Sequence, residues 1–396
     1  MTKLKEKKLS NFKHSRQFFD RLMAVIALST ILAAYIFGRA QAKTDVMPAF
    51  RQLLPSAQRF EKISDSVFAG YSGEQILGYV AIGEATGYGG TLMVAVAVTP
   101  QGMVNDFVIV DDRETDGYLF RVKESGLLEA LIGKSCQDTF RIGQDVDAVS
   151  GATYTAEAIA GAVGKSCRGV MAGGLGVSAA YEASAKIQIG VPEITLILLF
   201  AVGFYGHRAK FKYTRYARWI SMIVGLIILG FWLNRPLTIA NINQLLLGFW
   251  PAWQSHLYWY LLVFGVILVL TIDGKNPYCD WFCPFGAAQE CLGVIGQAKI
   301  HSPGKFRDYL KWLQRGFAWL AIILALIFRN PSISSYEVFG ALFARIGTTV
   351  SFTLLVIVLI ASLLMKRPWC SYLCPVRPVT DFIHMLRRSA IELWKM

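Results

Sequence analysis

The chain has 396 residues, of which 54% are hydrophobic and only 17% charged, with a formal net charge of +13. That balance is too apolar for an ordinary soluble enzyme and fits a membrane protein. The positive charge excludes a nucleic-acid partner, because it gathers beside apolar runs: residues 1–21 hold seven Lys/Arg against two acids and 207–218 five against none, whereas 39–190 holds 13 basic and 17 acidic residues.

Six runs approach the roughly 20 apolar residues that a helix needs to cross a bilayer. They are Leu22–Gly38, Val191–Gly206, Trp219–Asn234, His256–Ile272, about Trp312–Phe328 and about Thr348–Met365. The positive-inside rule keeps the basic N-terminus in the cytoplasm and places the next 150 or so residues outside. The basic loop 207–218 is then inside, 235–255 outside, and the segments after the fourth and sixth runs inside. Ala40-Gln41-Ala42 resembles a signal-peptidase site, so the first run is either a retained span or a removed leader. The expected architecture is an α-helical transmembrane bundle of about six spans with one inserted extracytoplasmic α+β domain. Residues 1–39 form the N-terminal cytoplasmic segment and first span, 40–190 the outer domain, and 191–396 a five-span membrane domain. The expected location is a bacterial inner membrane, with the outer domain in the periplasm and the lipid bilayer as solvent.

Within 40–190, Ile76–Ile82, Thr91–Val98 and Met103–Asp111 have strand character, with Gly87–Gly90 as a turn. Thr153–Cys167 has helical spacing, with Ala156, Ile159, Ala160 and Val163 on one face. Gly173, Gly174 and Gly176 read as a linker to the second span. The segment before the helix is Asp147-Ala148-Val149-Ser150-Gly151-Ala152-Thr153-Tyr154-Thr155. Ser150 is a candidate N-cap, and Gly151 allows close backbone approach. The first turn offers free N–H groups and a positive dipole end to a phosphate. Read alone, the segment is also satisfied by a capped helix whose first turn carries hydroxyls.

This string resembles the flavinylation motif of the FMN-binding domain found in NqrC, RnfG and the NosR/NirI family: Asp, then Ser-Gly-Ala-Thr-x-Thr. The resemblance implies that Thr155 is joined to FMN through a phosphoester by a dedicated flavin transferase. Similar strings lie upstream at Gly78-Tyr79, Gly87-Tyr88-Gly89-Gly90 and Glu114-Thr115-Asp116-Gly117-Tyr118. The family usually has Glu-Thr-Pro-Gly at the last place, so Asp116 departs from it, as does Ala148, which replaces a common Gly. The cofactor-binding residues implied are Thr155, Asp147, Ser150, Gly151, Ala152, Thr153, Glu114, Thr115, Gly117 and Gly89.

Four of the seven cysteines fall in an internal repeat. Lys275-Asn276-Pro277-Tyr278-Cys279-Asp280-Trp281-Phe282-Cys283-Pro284 matches Lys366-Arg367-Pro368-Trp369-Cys370-Ser371-Tyr372-Leu373-Cys374-Pro375. Each copy follows an apolar run that exits to the cytoplasm, as a pseudo-symmetric site between helices requires. Each proline suits the first turn of a following helix, which puts Cys283 and Cys374 at positive helix ends. Four thiolates suffice for an iron–sulfur cluster or a structural zinc, and the cytoplasmic side disfavours disulfides. Cys136 and Cys167 lie in the outer domain, where a disulfide is permitted but sequence does not decide it. Cys291 reads as packing. Of the five histidines only His256 lies at a span edge, which disfavours a transmembrane haem. Trp253, Tyr258 and Trp259 read as an interfacial belt, and Asp381–Trp394 as an interfacial helix.

Two Cys-x-x-x-Cys-Pro motifs behind transmembrane helices resemble NosR- and NapH-type membrane proteins, and their union with an outer FMN domain resembles the NosR/NirI layout. That family usually continues into a ferredoxin domain. Here the chain stops at Met396, so the expected donor is a separate cytoplasmic ferredoxin-type partner or quinol. The resemblance implies membrane electron transfer through a centre on Cys279, Cys283, Cys370 and Cys374 to the FMN, and on to an exported reductase or its maturation factor. No catalytic residue of a self-contained enzyme is expected. The alternatives are a redox-sensing regulator or assembly factor without net flux, and a structural anchor.

Overall fold

The computed structural model describes residues 2–41, 44–177, 187, 189–208, 212–299, 306–333 and 336–394, without the side chains of 2–21 and 393. Ala42 of the Ala40-Gln41-Ala42 string, the middle of the basic 207–218 loop and His301 lie outside the described residues.

After a long first helix (α1, Thr2–Gln41) the chain forms α2 (Met47–Leu53) and a five-stranded antiparallel meander: β1 (Arg59–Lys62), β2 (Val67–Ser72), β3 (Gln75–Thr86), β4 (Thr91–Val98) and β5 (Val104–Asp112). The strands pair in sequence order. β4 shows why the sheet is covered on both faces. Leu92, Val94, Val96 and Val98 point one way into the main core, while Ala95 and Ala97 point the other way against Phe50 and Leu53 of α2. The main-core face is covered by α5 (Thr153–Gly173), whose Ala156, Ile159, Ala160 and Val163 are all fully buried. Two short helices, α3 (Asp116–Lys123) and α4 (Leu127–Leu131), link the sheet to α5. The three strands expected from alternation are present. β1 and β2 carry too few apolar residues in alternation to have stood out.

The second half is helical: α6 (Val191–Arg208), α7 (Thr214–Val224) continuing as a π-helical segment to Trp232, α8 (Ile239–Leu247) and α9 (Leu257–Asp273) come first. A π-helical turn at Tyr278–Phe282 and α10 (Pro284–Ile295) follow, then α11 (Phe306–Ile327), a π-helical turn at Gly340–Ala344, α12 (Thr349–Leu364), α13 (Pro368–Tyr372) and α14 (Val376–Trp394). Among the described residues, three helical stretches are long and apolar enough to cross a membrane: Leu22–Gln41, Thr214–Trp232 and Phe306–Ile327. Leu257–Asp273 and Thr349–Leu364 are apolar but shorter. The architecture is therefore a β-sheet domain with membrane helices.

α8, with 9 residues, and the Gly340–Ala344 turn, with 5, are too short to cross a bilayer. They fold back from the connections after Trp232 and Ile327, and Leu237 and Phe339 pack into the helical core with Tyr278, Phe285 and Trp369. Tyr258 belongs to that core at 3% exposure, which corrects its reading as part of an interfacial belt. Its hydroxyl donates to Arg235 O at 3.0 Å, so its polar tip is satisfied inside rather than at a lipid headgroup. Trp259 is half-buried, and only Trp253 of the three is exposed.

Candidate functional site

A tight turn at Val149–Ala152 precedes α5, closed by Ala152 N–H donating to Val149 O at 3.0 Å. Gly151 sits in it at φ +76, which other residues adopt at a cost. The helix therefore begins at Thr153 with Ala152 at the N-cap and no side-chain cap bond. This corrects the expectation for Ser150, which is exposed in the turn, as is Asp147. Thr153 Oγ donates back to Val149 O at 3.3 Å. Without a side-chain cap, the first N–H groups of α5 stay open to an anion. The Arg121 guanidinium occupies the place a Cβ on Gly151 would take, at the same helix end.

Thr155 is fully buried, and its Oγ has no hydrogen-bond partner. Beside it stands Glu114, 2% exposed. Glu114 Oε1 accepts N–H bonds from Gly89 at 2.7 Å and Thr115 at 3.1 Å. Oε2 is buried without a well-formed bond, and the Tyr88 N–H and then the Thr155 hydroxyl lie near enough to the carboxyl to favour its ionised form. Burial nevertheless wins and pushes the Glu114 pKa up to about 7. The 87–90 turn closes over this carboxyl so tightly that a Cβ on Gly87 would collide with Oε2. Gly89, Glu114, Thr115 and Thr155 thus converge, and Gly117 flanks them at the start of α3. A threonine hydroxyl without a partner and a glycine cradle beside an open helix end fit a group joined by phosphoester to Thr155.

The membrane half covers this pocket. Thr115 Oγ meets Ser332 Oγ at 3.2 Å, Asn234 Nδ2 donates to Tyr118 OH at 2.9 Å, and Arg121 donates to Ala344 O at 3.2 Å. Arg235 lies 4.0 Å over the Tyr154 ring, and His256 packs on the same ring at 4.7 Å. A small cavity of about 30 Å³ is lined by Gly87, Tyr88, Tyr154, Arg235, Pro236 and His256 among others. Sequence reasoning missed Arg121, Arg235 and Tyr154. Arg121 had one signal, its place one helical turn after Gly117.

All four repeat cysteines line a larger cavity of about 320 Å³, together with Leu237, Tyr278, Trp369 and Arg367. Cys283 is the N-cap of α10, with Pro284 in its first turn, as its spacing implied. Among the described residues no three His, Cys, Asp or Glu side chains stand at metal-binding separation; the sulfurs share the cavity walls. Burial holds the thiols above their ordinary range, Cys283 at about 11, so loading a cation must release protons. Donors already point at the sulfurs: Asn276 Nδ2 to Cys279 at 3.1 Å and Gln289 Nε2 to Cys370 at 3.2 Å. Arg367 donates to Cys279 O at 2.7 Å and pairs with Glu290 at 2.7 Å. Four thiols with N–H···S donors and a nearby guanidinium fit an anionic iron–sulfur cluster. Cys291 does not line this cavity. Cys136 and Cys167 are buried, unbridged neighbours in the β-sheet domain.

Two family models cover the segments in which the two candidate sites lie. The FMN-binding domain model matches residues 87–167, and the 4Fe-4S binding domain model matches twice, at 255–303 and 348–393, each match holding one cysteine pair. The chain is 31% identical over 168 residues to Protein NirI of Paracoccus denitrificans, covering 38% of this chain and 24% of that one. It is 30% identical over 151 residues to a component of the proton-translocating ferredoxin:NAD(+) oxidoreductase complex of Clostridium ljungdahlii, covering 35% and 76%. It is 26% identical over 210 residues to Regulatory protein NosR of Pseudomonas aeruginosa, covering 48% and 29%. The chain thus spans under a third of NirI and of NosR.

Proposed function

Because the chain belongs to the NosR/NirI-like family of membrane flavoproteins, we propose that it passes electrons between a cluster on Cys279, Cys283, Cys370 and Cys374 and an FMN joined covalently to Thr155. The observation that carries this reading is the segment Arg235-Pro236-Leu237. Arg235 and Pro236 line the cavity beside Tyr154, and Leu237 lines the cysteine cavity. Leu237 N–H donates to Tyr278 OH at 2.7 Å, directly beside Cys279. The two sites are therefore joined by one packed stretch of protein, without a second domain between them.

When bound, flavin and cluster supply stepwise one-electron chemistry that side chains lack. The protein's residues position and insulate. The α5 N-terminus and Arg121 would hold the phosphate, and the residues of the 87–90 turn and Tyr154 would line the space beside it. Asn276, Gln289 and Arg367 set the charge balance at the sulfurs. In this reading the β-sheet domain lies outside the cytoplasm, in the periplasm, and the cysteine cavity faces the cytoplasm. The donor is a ferredoxin-type partner or quinol, and the acceptor an exported reductase or its maturation factor. A flavin fixed by a phosphoester cannot diffuse away in that compartment.

One relative's name, Regulatory protein NosR, favours a second reading in which the flavin senses redox state without net flux. Substitution separates the two. Flux predicts that Thr155→Val and Cys279→Ser each abolish activity of the exported reductase while its abundance and metal content stay normal. Sensing or assembly predicts loss of abundance or metal instead, and that result would retire the flux reading.

A further inference from the structure

The Thr155–Glu114 pair carries an inference that rests on Thr155 being the flavin attachment point. Two buried oxygens without a well-formed hydrogen bond, Thr155 Oγ and Glu114 Oε2, stand beside each other. A buried carboxylate oxygen left open costs free energy whatever it does, so its retention calls for an explanation. The rest of the carboxyl is fixed: Oε1 is held by the Gly89 and Thr115 N–H groups, and the Gly87 backbone closes the space behind Oε2. Among the described hydroxyls near the carboxyl, that of Thr155 has no hydrogen-bond partner of its own, whereas Thr115 Oγ is bonded to Ser332 and Tyr118 OH to Asn234.

We propose that Glu114 is the general base that activates Thr155 for its own flavinylation. The hydroxyl of Thr155 attacks the flavin-side phosphorus of a flavin dinucleotide held by the transferase. An Oγ–P bond forms, the phosphoanhydride P–O bond breaks, AMP leaves, and the hydroxyl proton passes to Glu114 Oε2. No electrons change hands. A threonine hydroxyl is a weak nucleophile at neutral pH and needs such a neighbour. The groups facing Glu114 are Tyr88 and Tyr118 from the 87–90 turn and α3, the Thr155 hydroxyl from α5, and Ser332 from the membrane half. Arg121 faces Tyr118 and the α5 N-terminus. Among the described residues no cation pairs with the carboxyl, and its pKa near 7 places base and conjugate acid within reach of physiological pH.

The test uses the full-length apo chain in detergent with purified transferase and flavin adenine dinucleotide, following covalent mass gain and AMP release against pH. Gel-filtration profile and iron uptake report that each variant is folded. Wild type should show a rate that climbs through a limb near pH 7. Glu114→Gln should incorporate flavin about a hundredfold more slowly or worse and lose that limb, while Glu114→Asp should recover part of both. Glu114→Gln at the wild-type rate with the limb intact would overturn the inference, and so would a wild-type rate that is flat across that range. Thr155→Val is the separate control. If it gains the same mass, the attachment reading itself falls, and the base role falls with it.

Discussion

At the scale of single residues, the pocket around Thr155 is expensive to maintain. Glu114 is buried and no cation among the described residues pairs with it, so its folded pKa stands near 7 against about 4.5 when exposed. Between those values the folded protein holds a proton that the unfolded chain has released. Stability therefore falls as pH rises across that window, by up to about 3 kcal/mol. Thermal unfolding of the purified chain should show this directly. Wild type should lose more melting temperature between about pH 5 and about pH 8 than Glu114→Gln, which has no proton to lose. Equal slopes would mean that Glu114 is solvated in the native protein. The residues of this pocket were named in the sequence through the resemblance to the FMN-binding domain; their spacing alone was equally satisfied by a capped helix. The cap itself was not legible. Ser150 has the right chemistry, but Gly151 at φ +76 turns the chain before the helix starts, and a backbone turn leaves no trace in capping propensity.

At the scale of elements, the two cysteine repeats are joined by a residue that no motif marks. Gln289 on α10 is fully buried. Its Oε1 accepts Trp369 N–H at 3.0 Å and its Nε2 donates to Cys370 Sγ at 3.2 Å. One amide thus links the helix after the first repeat to the short helix carrying the second. Gln289→Leu leaves a buried N–H and a thiolate unpaired, a loss of about 1–3 kcal/mol. Anaerobically purified Gln289→Leu should retain less iron than wild type and lose its cluster faster to a chelator. Iron content and loss rate equal to wild type would remove Gln289 from the site. The spacing Cys-x-x-x-Cys-Pro gave away α10, because proline after an N-cap opens a helix. It could not give away the partner, since a polar residue on an apolar helix reads the same whether it faces a neighbour or a ligand. The short helix α8 was hidden for a related reason: Ile239–Leu247 is too short to span and too apolar to read as a loop.

At the scale of the whole molecule, the β-sheet domain sits with the pocket around Thr155 against the connections of the membrane half. Thr155 is fully buried there. On the proposed reading of Thr155, a transferase would reach it only after Asn234, Arg235, Ser332 and Ala344 move off their partners on α3, α5 and the 87–90 turn. Locking the interface should therefore block loading. A reducible bis-maleimide bridge between Tyr118→Cys and Asn234→Cys, long enough to span the place of the lost tyrosine ring and formed before the transferase is added, should stop covalent incorporation, and reduction should restore it. Undiminished incorporation in the locked form would show another route to Thr155. Charge alone suggested which segments flank the membrane, yet it was silent on this docking, because the contacts are made by isolated residues from three connections rather than by a patch. The same docking makes electron transfer over a short packed stretch feasible. The most direct measurement reconstitutes the loaded chain in sealed vesicles, cysteine cavity outward, and adds a membrane-impermeant reductant under anaerobic conditions. The flavin absorbance should bleach in wild type and persist in Cys279→Ser that still carries covalent flavin. Bleaching of Cys279→Ser at the wild-type rate would contradict a path through the four cysteines.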